Sequence, residues 1–282
     1  MRLQLRDVRL YFDIAGMGLV PDGPGMRQRP VVICLHGGPG FDHSMLKPYL
    51  APLTDVAQLI FLDHRGNGRS DQSTPEWWNL STWIDDVRAF CAALEIEQPI
   101  LLGHSFGSFV ALGVASRYPE LPGKLVVSSG AARVRFDRAL EMIGCLGGSR
   151  AREVAARNFE RPTAETQDEY LRVCLPLYNP SPPDADVLAR VVQRQEVSLH
   201  FWQNEIKSFD LFPVVGAIRC PTLIIAGELD PITTAADAKE LAEAIPGSCL
   251  KLFADAGHGV FRDKPTEATE LIRHFILTGQ DG

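Results

Sequence analysis

Short, continuously apolar segments recur along the chain, and segments with helical spacing of apolar residues separate them. Runs of three to five apolar residues bounded by turn residues are typical of strands that are buried on both faces of a parallel sheet. The predicted strands are Val31–Leu35, Leu59–Leu62, Ile100–Leu102, Leu125–Val127, Leu223–Ala226 and Leu250–Phe253. Because strands and helices alternate, we expect right-handed crossovers and an α/β fold with a mostly parallel, doubly wound sheet.

Other patterns place the flanking elements. Residues Leu3–Ala15 alternate between apolar and polar as a half-buried hairpin would, and Gly16–Gly25 has the composition of a Gly/Pro loop. Thr82, with Asp85 three residues later, predicts the start of an amphipathic helix. We expect further helices over Ser108–Arg117 and Pro265–Leu277.

The strand pattern stops from about Ala131 to Phe212. Amphipathic helical segments replace it: Arg138–Cys145, Ala151–Phe159, Glu165–Leu175 and Asp186–Phe201. The pattern predicts an inserted helical cap over residues 131–213, between two core parts, 1–130 and 214–282. An unrelated helical decoration is the alternative, but a cap over the carboxyl ends of the strands would cover the place where open α/β sheets bind ligands.

Composition narrows the function classes. The 282 residues are 45% hydrophobic and 22% charged, as in ordinary globular proteins. A net charge of -7 without a Lys/Arg cluster argues against nucleic-acid binding. No segment has the apolar length of a membrane span, and Met1–Asp7 lacks a signal-peptide pattern, so we expect a cytoplasmic protein. We expect a monomer or small homo-oligomer.

Six scattered cysteines show no C-x-x-C spacing and no neighbouring histidine pattern. In a chain of this length they are typical of small buried apolar residues, and they predict neither a disulfide framework nor a zinc site. We therefore expect chemistry without a metal or a cofactor.

Candidate chemistry begins at Gly103-His104-Ser105-Phe106-Gly107, between a predicted strand and a predicted helix. A G-x-S-x-G sequence in that context is a nucleophile elbow, whose tight turn requires glycine and lifts the serine hydroxyl above the sheet edge. We predict that Ser105 is a nucleophile. The backbone N–H of Phe106 would then face the same space as an oxyanion donor.

A serine nucleophile needs a histidine base and an acid that orients the imidazole. Asp230 follows the Leu223–Ala226 strand and is the predicted acid, with Glu228 as its rival. His258, between two glycines, follows the last strand and is the predicted base. His104 is expected to pack locally instead.

A second oxyanion donor is expected from the loop His36-Gly37-Gly38-Pro39-Gly40, which follows the first parallel strand. Glycines let the backbone approach a developing negative charge closely. We predict that the N–H groups of Gly38 and Phe106 form the oxyanion hole.

Five motifs together resemble the α/β-hydrolase superfamily: HGGPG at 36–40, DHRGNGRS at 63–70, GHSFGS at 103–108, GELDPIT at 227–233 and AGHGVF at 256–261. The first two most resemble the proline iminopeptidase branch. That resemblance implies removal of an N-terminal proline, with cap carboxylates holding the free ammonium of a short peptide. Glu196 and Glu205 are the cap candidates, although solvated helix carboxylates are the alternative for both.

The substrate class stays open in the sequence. Small esters or lactones compete with amides and with carbon-carbon bond cleavage, and a slow-turnover ligand receptor on the same fold is a further alternative. An apolar substrate pocket is expected to draw on aromatic residues: Phe41, Trp77, Trp78, Phe136, Phe201 and Trp202. Of these, Phe41 and Trp202 are the preferred substrate-binding candidates.

Overall fold

The computed structural model describes residues 1–280 and contains an eight-stranded sheet with the strand order β1-β2-β6-β5-β7-β8-β9-β10. The strands from β5 to β10 in this sheet run parallel, whereas β1 and β2 are antiparallel additions at one edge. The strands are β1 (Arg2–Gln4), β2 (Arg9–Ala15), β3 (Leu19–Asp22), β4 (Gly25–Gln28), β5 (Val31–Leu35), β6 (Gln58–Leu62), β7 (Ile100–His104), β8 (Lys124–Ser128), β9 (Thr222–Gly227) and β10 (Cys249–Phe253).

All six predicted parallel strands are confirmed, with ends extended by at most two residues. Their side chains alternate between two apolar clusters, one on each face of the sheet. Ile33 and Leu101 belong to one cluster, while Val32 and Leu102 belong to the other. Burial on both faces explains why the inner strands of the sheet are apolar in nearly continuous runs.

Helices cover both faces of the sheet. The helices α2 and α3 pack on one face, and α11 packs on the other. The helices are α1 (Lys47–Leu50), α2 (Leu80–Ala93), α3 (Phe106–Arg117), α4 (Phe136–Glu160), α5 (Ala164–Val173), α6 (Ala185–Arg190), α7 (Gln195–Asn204), α8 (Phe212–Val215), α9 (Ala235–Ala244), α10 (Val260–Asp263) and α11 (Pro265–Thr278). Short 3-10 turns lie at His43–Met45, Ala51–Asp55, Pro75–Trp77 and Leu175–Tyr178.

Two local predictions were wrong at the N-terminal side. Gly16–Gly25 is not only a loop, because β3 and β4 form a second hairpin that turns at Gly23, where φ is +58°. The α2 helix begins before Thr82: the side chain of Asn79 accepts the backbone N–H of Thr82 at 2.9 Å and is the N-cap. Both Asn79 and Thr82 are residue types that cap helices. Asn79 is the cap because its backbone is extended and the helix begins at the next residue.

The segment between β8 and β9 is helical, as predicted, and contains α4 to α8. The first two predicted helices form the single element α4, which kinks at Gly148 (φ +75°). The predicted helix Asp186–Phe201 is wrong as one element, because α6 ends at Arg190 and α7 begins at Gln195. This segment has a small apolar core of its own around Phe159 and Tyr170. The boundaries 131 and 213 stay a prediction.

Four of the six cysteines are buried, as expected, whereas Cys145 is exposed on α4 and Cys249 is half-buried. Among the helices within residues 1–280, none combines the length and the apolar character that crossing a membrane requires.

Candidate active site

The turn between β7 and α3 holds Ser105 in a conformation that few non-glycine residues adopt, with φ +53° and ψ -120°. Its flanking glycines have no room for a side chain. A Cβ on Gly103 would lie 2.4 Å from the carbonyl oxygen of Gly107, and a Cβ on Gly107 would lie 2.1 Å from that of Leu35. The glycines of the motif are therefore required by close backbone packing, as the sequence predicted.

Hydrogen bonds hold the strained turn in place. The backbone N–H of Ser105 donates to the carbonyl of Ser128 on the neighbouring strand at 2.9 Å. The carbonyl of Ser105 accepts the N–H of Ser108 at 2.9 Å and its hydroxyl at 2.5 Å. The backbone of Ser105 is thus engaged, and the residue borders a cavity.

Asp230 and His258 meet at the carboxyl ends of β9 and β10. The Nδ1 of His258 lies 2.9 Å from Oδ2 of Asp230, which is fully buried. The other carboxylate oxygen accepts the backbone N–H groups of Ile232 and Thr233 at 2.9 and 3.0 Å. A carboxylate only accepts, so the proton of the imidazole lies on Nδ1 and Nε2 is left as a base.

Thr233 is a participant that the sequence reasoning missed. Its hydroxyl lies 2.9 Å from Oδ2 of Asp230 and 3.4 Å from Nδ1 of His258. A local signal was present, since an aspartate side chain commonly accepts the backbone N–H two residues on and so turns the following residues towards it. The rival acid Glu228 is exposed to solvent. The geometry therefore favours Asp230 as the partner of His258.

The helical segment above the sheet holds the loop of His258. The backbone N–H of His258 donates to the carbonyl of Tyr178 at 2.7 Å, and the two rings meet edge to face at 5.1 Å. One carboxylate oxygen of Asp263 accepts both the side-chain amide of Asn179 and the N–H of Gly257 at 2.8 Å. Tyr178 lies far from His258 along the chain, so no local sequence signal could have paired them.

The two predicted oxyanion donors come from the loop that contacts Ser105 and from the residue that follows it in the chain. Gly38 has φ +124°, which favours glycine, and a Cβ on the adjacent Gly37 would lie 3.3 Å from Cβ of Ser105. Phe106 is the first residue of α3, where backbone N–H groups have no partner within the helix. Across residues 1–280, neither the Gly38 N–H nor the Phe106 N–H donates to another protein group.

A cavity of about 720 Å³ connects these groups. Ser105 and His258 lie on its sheet side, and side chains from α5, α6 and α7 close the opposite side. Phe41 and Trp202 both border it, as does Phe201. Trp77, Trp78 and Phe136 do not border it, so half of the predicted aromatic lining was wrong. Trp77 and Trp78 lie at a 3-10 turn before α2, and Phe136 packs against Phe159, contacts that the sequence pattern does not reveal.

Neither predicted cap carboxylate borders the cavity. Glu205 accepts the backbone N–H of Leu80 at 3.2 Å and thereby caps α2. Glu196 is exposed and lies 3.5 Å from the side-chain amide of Gln72. Their assignment as substrate-binding residues is therefore corrected: Glu205 stabilises the contact between α7 and α2, and Glu196 is solvated.

His104 borders the cavity beside His258, with ring centroids 5.3 Å apart. Burial, together with repulsion from a positive charge on His258, lowers the pKa of His104 to about 3. Its Nδ1 lies 3.2 Å from the hydroxyl of Ser128. His104 is thus a neutral packing residue at the elbow, in agreement with the local role expected for it.

We expect the stability of the protein to fall as the pH drops below about 6.5. The folded-state pKa of His104 is lower than the unfolded value, so between about 6.5 and 3 the unfolded chain binds more protons and unfolding is favoured. Burial also lowers the pKa of His36 and of His64, so both residues add to this loss of stability at low pH. Urea midpoints measured at pH 7.5 and pH 5 test this expectation.

The variant His104→Gln provides the control for that measurement. It should lose less stability than the wild type between the two pH values, because one of the three titrating groups is removed. An equal loss in both proteins would contradict the assignment of His104.

Asp42, His43 and Asp63 bring three metal-ligating atoms within 4.8 Å of one another. Protein donors already occupy these atoms. Oδ1 of Asp63 lies 2.7 Å from Nδ1 of His43 and accepts its backbone N–H at 2.9 Å. Arg69 donates its backbone N–H to Asp63 and its guanidinium to Asp42. The cluster therefore links the loop that follows β5 to the loop that follows β6.

The parallel sheet, the strained elbow and the covered cavity at the strand ends define a hydrolase of the α/β class. The chain belongs to the alpha/beta hydrolase fold family, whose sequence model matches residues 30–265. The fold class and the resemblance inferred from the motifs are therefore confirmed, and the protein is an enzyme of this family.

Its relatives include hydrolases with different substrates. The chain is 24% identical over 283 residues to a provisionally named carbamate hydrolase, RutD, of Rhizobium rhizogenes, covering 95% of this chain and 97% of that one. It is 26% identical over 268 residues to a proline iminopeptidase of Clostridium botulinum, covering 88% and 90%. The crystal structure of VinJ superimposes with a TM-score of 0.78 at 19% identity, covering 99% and 98%.

Proposed function

We propose that this hydrolase cleaves small carboxylic esters through an acyl-enzyme formed on Ser105, with His258 as base and Asp230 as the acid that orients it. The observation that carries the proposal is the hydrogen bond between Asp230 and His258, whose ring borders the same cavity as the strained Ser105. The proposed triad follows the chain order that this fold class uses.

In the first half-reaction, Nε2 of His258 takes the hydroxyl proton of Ser105 while Oγ attacks the ester carbonyl carbon. The electron pair of the carbonyl moves to its oxygen, which the N–H groups of Gly38 and Phe106 stabilise. The tetrahedral intermediate then collapses, the bond to the alcohol oxygen breaks, and His258 returns the proton to the leaving alcohol. Water repeats these steps on the acyl-enzyme and releases the acid.

Asp230 contributes by orientation and charge. Its carboxylate accepts from Nδ1 of His258 and from two backbone N–H groups, so the imidazole cannot rotate freely and its protonated form is stabilised. We infer that Thr233 supports this arrangement, because its hydroxyl contacts the carboxylate oxygen that binds His258.

The cavity supports esters with an uncharged, largely apolar group. Its wall includes Phe41, Phe201 and Trp202, and the two acidic residues that border it, Asp168 and Asp184, are exposed. An ammonium group taken deep into such a cavity would lose its hydration without gaining a buried counter-charge. We therefore rank small esters and lactones above aminoacyl amides.

A proline aminopeptidase activity is the second candidate. It is favoured by the relatives with that name and by Asp168, which borders the cavity and accepts the amide of Gln195 at 2.6 Å. We propose for either activity that residues 131–213 act as the cap that selects a small-molecule or short-peptide substrate.

A substrate panel separates these candidates. We expect measurable turnover of p-nitrophenyl esters of increasing chain length and of a lactone, with prolyl naphthylamide hydrolysed at least about a hundredfold more slowly, since a buried charge costs several kcal/mol. A phenyl carbamate completes the panel. The measurement is kcat/KM for each compound under identical conditions.

A fluorophosphonate that labels nucleophilic serines provides the control. Mass spectrometry should locate the label on the peptide that contains Ser105. A preference for the prolyl amide would favour the aminopeptidase. Labelling of Ser105 with only a single turnover of the esters would favour a slow ligand receptor over an esterase.

A further inference from the structure

Gln167 presents an unusual polar group at the wall of the cavity. It lies on α5, is only 3% exposed and borders the cavity. Its Nε2 donates to the hydroxyl of Ser198 at 2.9 Å, whereas its Oε1 is buried and has no hydrogen-bond partner. An unsatisfied buried acceptor costs roughly 1–3 kcal/mol, which a ligand with a suitable donor would recover.

A second buried amide lies on the same wall. Asn158 on α4 is 1% exposed and borders the cavity. Its Oδ1 accepts the hydroxyl of Thr166 at 3.2 Å, so its orientation is held by the residue that precedes Gln167. Within residues 1–280, no protein group accepts from its Nδ2. Gln167 thus has one acceptor without a partner, and the amide of Asn158 has two N–H donors that no protein group within the described residues uses.

The position of Gln167 relates this wall to the proposed reaction centre. Ser198, its hydrogen-bond partner, packs against the loop that carries Gly38: a Cβ on Gly40 would lie 2.8 Å from Cβ of Ser198. The backbone N–H of Arg194 donates to the carbonyl of Gly40 at 2.8 Å and fixes α7 to that loop. One side chain therefore separates Gln167 from the proposed oxyanion loop.

The charged residues that border the cavity have partners for most of their polar atoms. Asp184 accepts two backbone N–H groups as the N-cap of α6, and Asp168 accepts from Gln195. Arg262 donates from one guanidinium nitrogen to the carbonyl of Ser181, whereas its Nε is buried without a protein partner. The two aspartates are exposed and Arg262 is half-buried. Gln167 and Asn158 are deeply buried, neutral groups on this wall, and they suit an uncharged ligand group.

We propose that Gln167 and Asn158 form a polar subsite that binds an uncharged amide or hydroxyl carried by the acyl part of the substrate. This proposal rests on the ester hydrolysis proposed above. The expected substrates are neutral esters with a hydrogen-bond donor some distance from the scissile bond. In this subsite the donor of the acyl group pairs with Oε1 of Gln167, while Nε2 keeps its hydrogen bond to Ser198.

Three p-nitrophenyl pentanoates test the subsite: their terminal carbon carries an acetamido group, an N-methylacetamido group without a donor, or an ammonium group. We expect kcat/KM to be about tenfold higher for the acetamido ester than for its N-methyl analogue, the worth of one buried hydrogen bond. The ammonium ester should be the poorest substrate of the three.

Variants at Gln167 link this preference to one atom. Gln167→Met keeps the length of the side chain but lacks the acceptor, and it should bring the ratio of acetamido to N-methyl ester close to one. Gln167→Glu places a negative charge there and should raise kcat/KM for the ammonium ester relative to the acetamido ester. Gln203→Met makes the same change on an exposed residue of α7, away from the cavity, and should leave all ratios unchanged.

The wild type alone can overturn the subsite, so the proposal does not depend on folding of the variants. Equal rates for the acetamido and N-methyl esters would refute it, as would an unchanged ratio in Gln167→Met. A wild-type preference for the ammonium ester that Asp168→Asn abolishes would assign recognition to Asp168 instead. Failure of the ester chemistry is distinct, because the wild type would then turn over none of the three esters.

Discussion

Replacement of Ser105 by alanine is expected to lower kcat for p-nitrophenyl ester hydrolysis by roughly a millionfold, the effect typical of removing a serine nucleophile. No other side chain at the elbow can form the acyl-enzyme, since the hydroxyl of Ser108 is turned away and donates to the carbonyl of Ser105. The fold should be retained, because the backbone conformation and its hydrogen bonds to Ser128 and Ser108 do not involve Oγ of Ser105.

Burst-phase and steady-state kinetics measure this loss, and thermal unfolding checks the fold. Ser116→Ala is the matched control, because its hydroxyl on α3 only donates to the carbonyl of Leu112 at 2.8 Å. That variant should keep the wild-type rate. Wild-type turnover in Ser105→Ala would show that the esters are cleaved elsewhere, and it would remove the basis of the proposed mechanism.

Asp230→Asn should reduce kcat by about 10⁴, with a small change in KM. The amide can keep its Oδ1 towards the N–H groups of Ile232 and Thr233, which then places its Nδ2 against Nδ1 of His258. Two donors cannot face each other, so the imidazole must carry its proton on Nε2 and loses the lone pair that accepts from Ser105. The fold is expected to persist because the shape of the side chain is unchanged.

Glu228→Gln is the control for the choice of the acid. Glu228 is exposed and lies two residues before Asp230 in the chain. Its neutralisation should leave kcat within about twofold of the wild type, as for ordinary surface changes. The informative measurement is the ratio of kcat between Asp230→Asn and Glu228→Gln at a fixed pH. If Glu228→Gln lost the larger share of activity, the acid of the proposed triad would have to be reassigned.

The positions of the candidate groups along the chain followed from local sequence because parallel strands end at one edge of the sheet. The loops after β5, β7, β9 and β10 carry Gly38, Ser105, Asp230 and His258, and the apolar runs before them predicted those strands. The turn at Ser105 is also local: without glycines at 103 and 107 the backbone could not close so tightly.

The surroundings of the same groups did not follow from local sequence. Tyr178 and Asp263 hold the loop of His258 from residues that no short motif connects with it. The carboxylates expected in the cap were misplaced, because Glu205 caps α2 and Glu196 faces solvent. Gln167 went unnoticed, since a glutamine on an amphipathic helix resembles any solvated position until its burial is known.

The sequence by itself determined the α/β class, the positions of the parallel strands along the chain and the elbow at Ser105, because these depend on hydrophobic periodicity and on short-range steric limits. Only the tertiary structure decided which cap residues border the cavity and which polar groups remain unpaired there. The rotation of each cap helix and its packing set those contacts. Both depend on the burial of apolar surface between segments far apart in the chain, which no local sequence pattern predicts. The sequence was therefore sufficient to propose the chemistry of Ser105. The substrate proposed for Gln167 could be inferred only from the folded cavity.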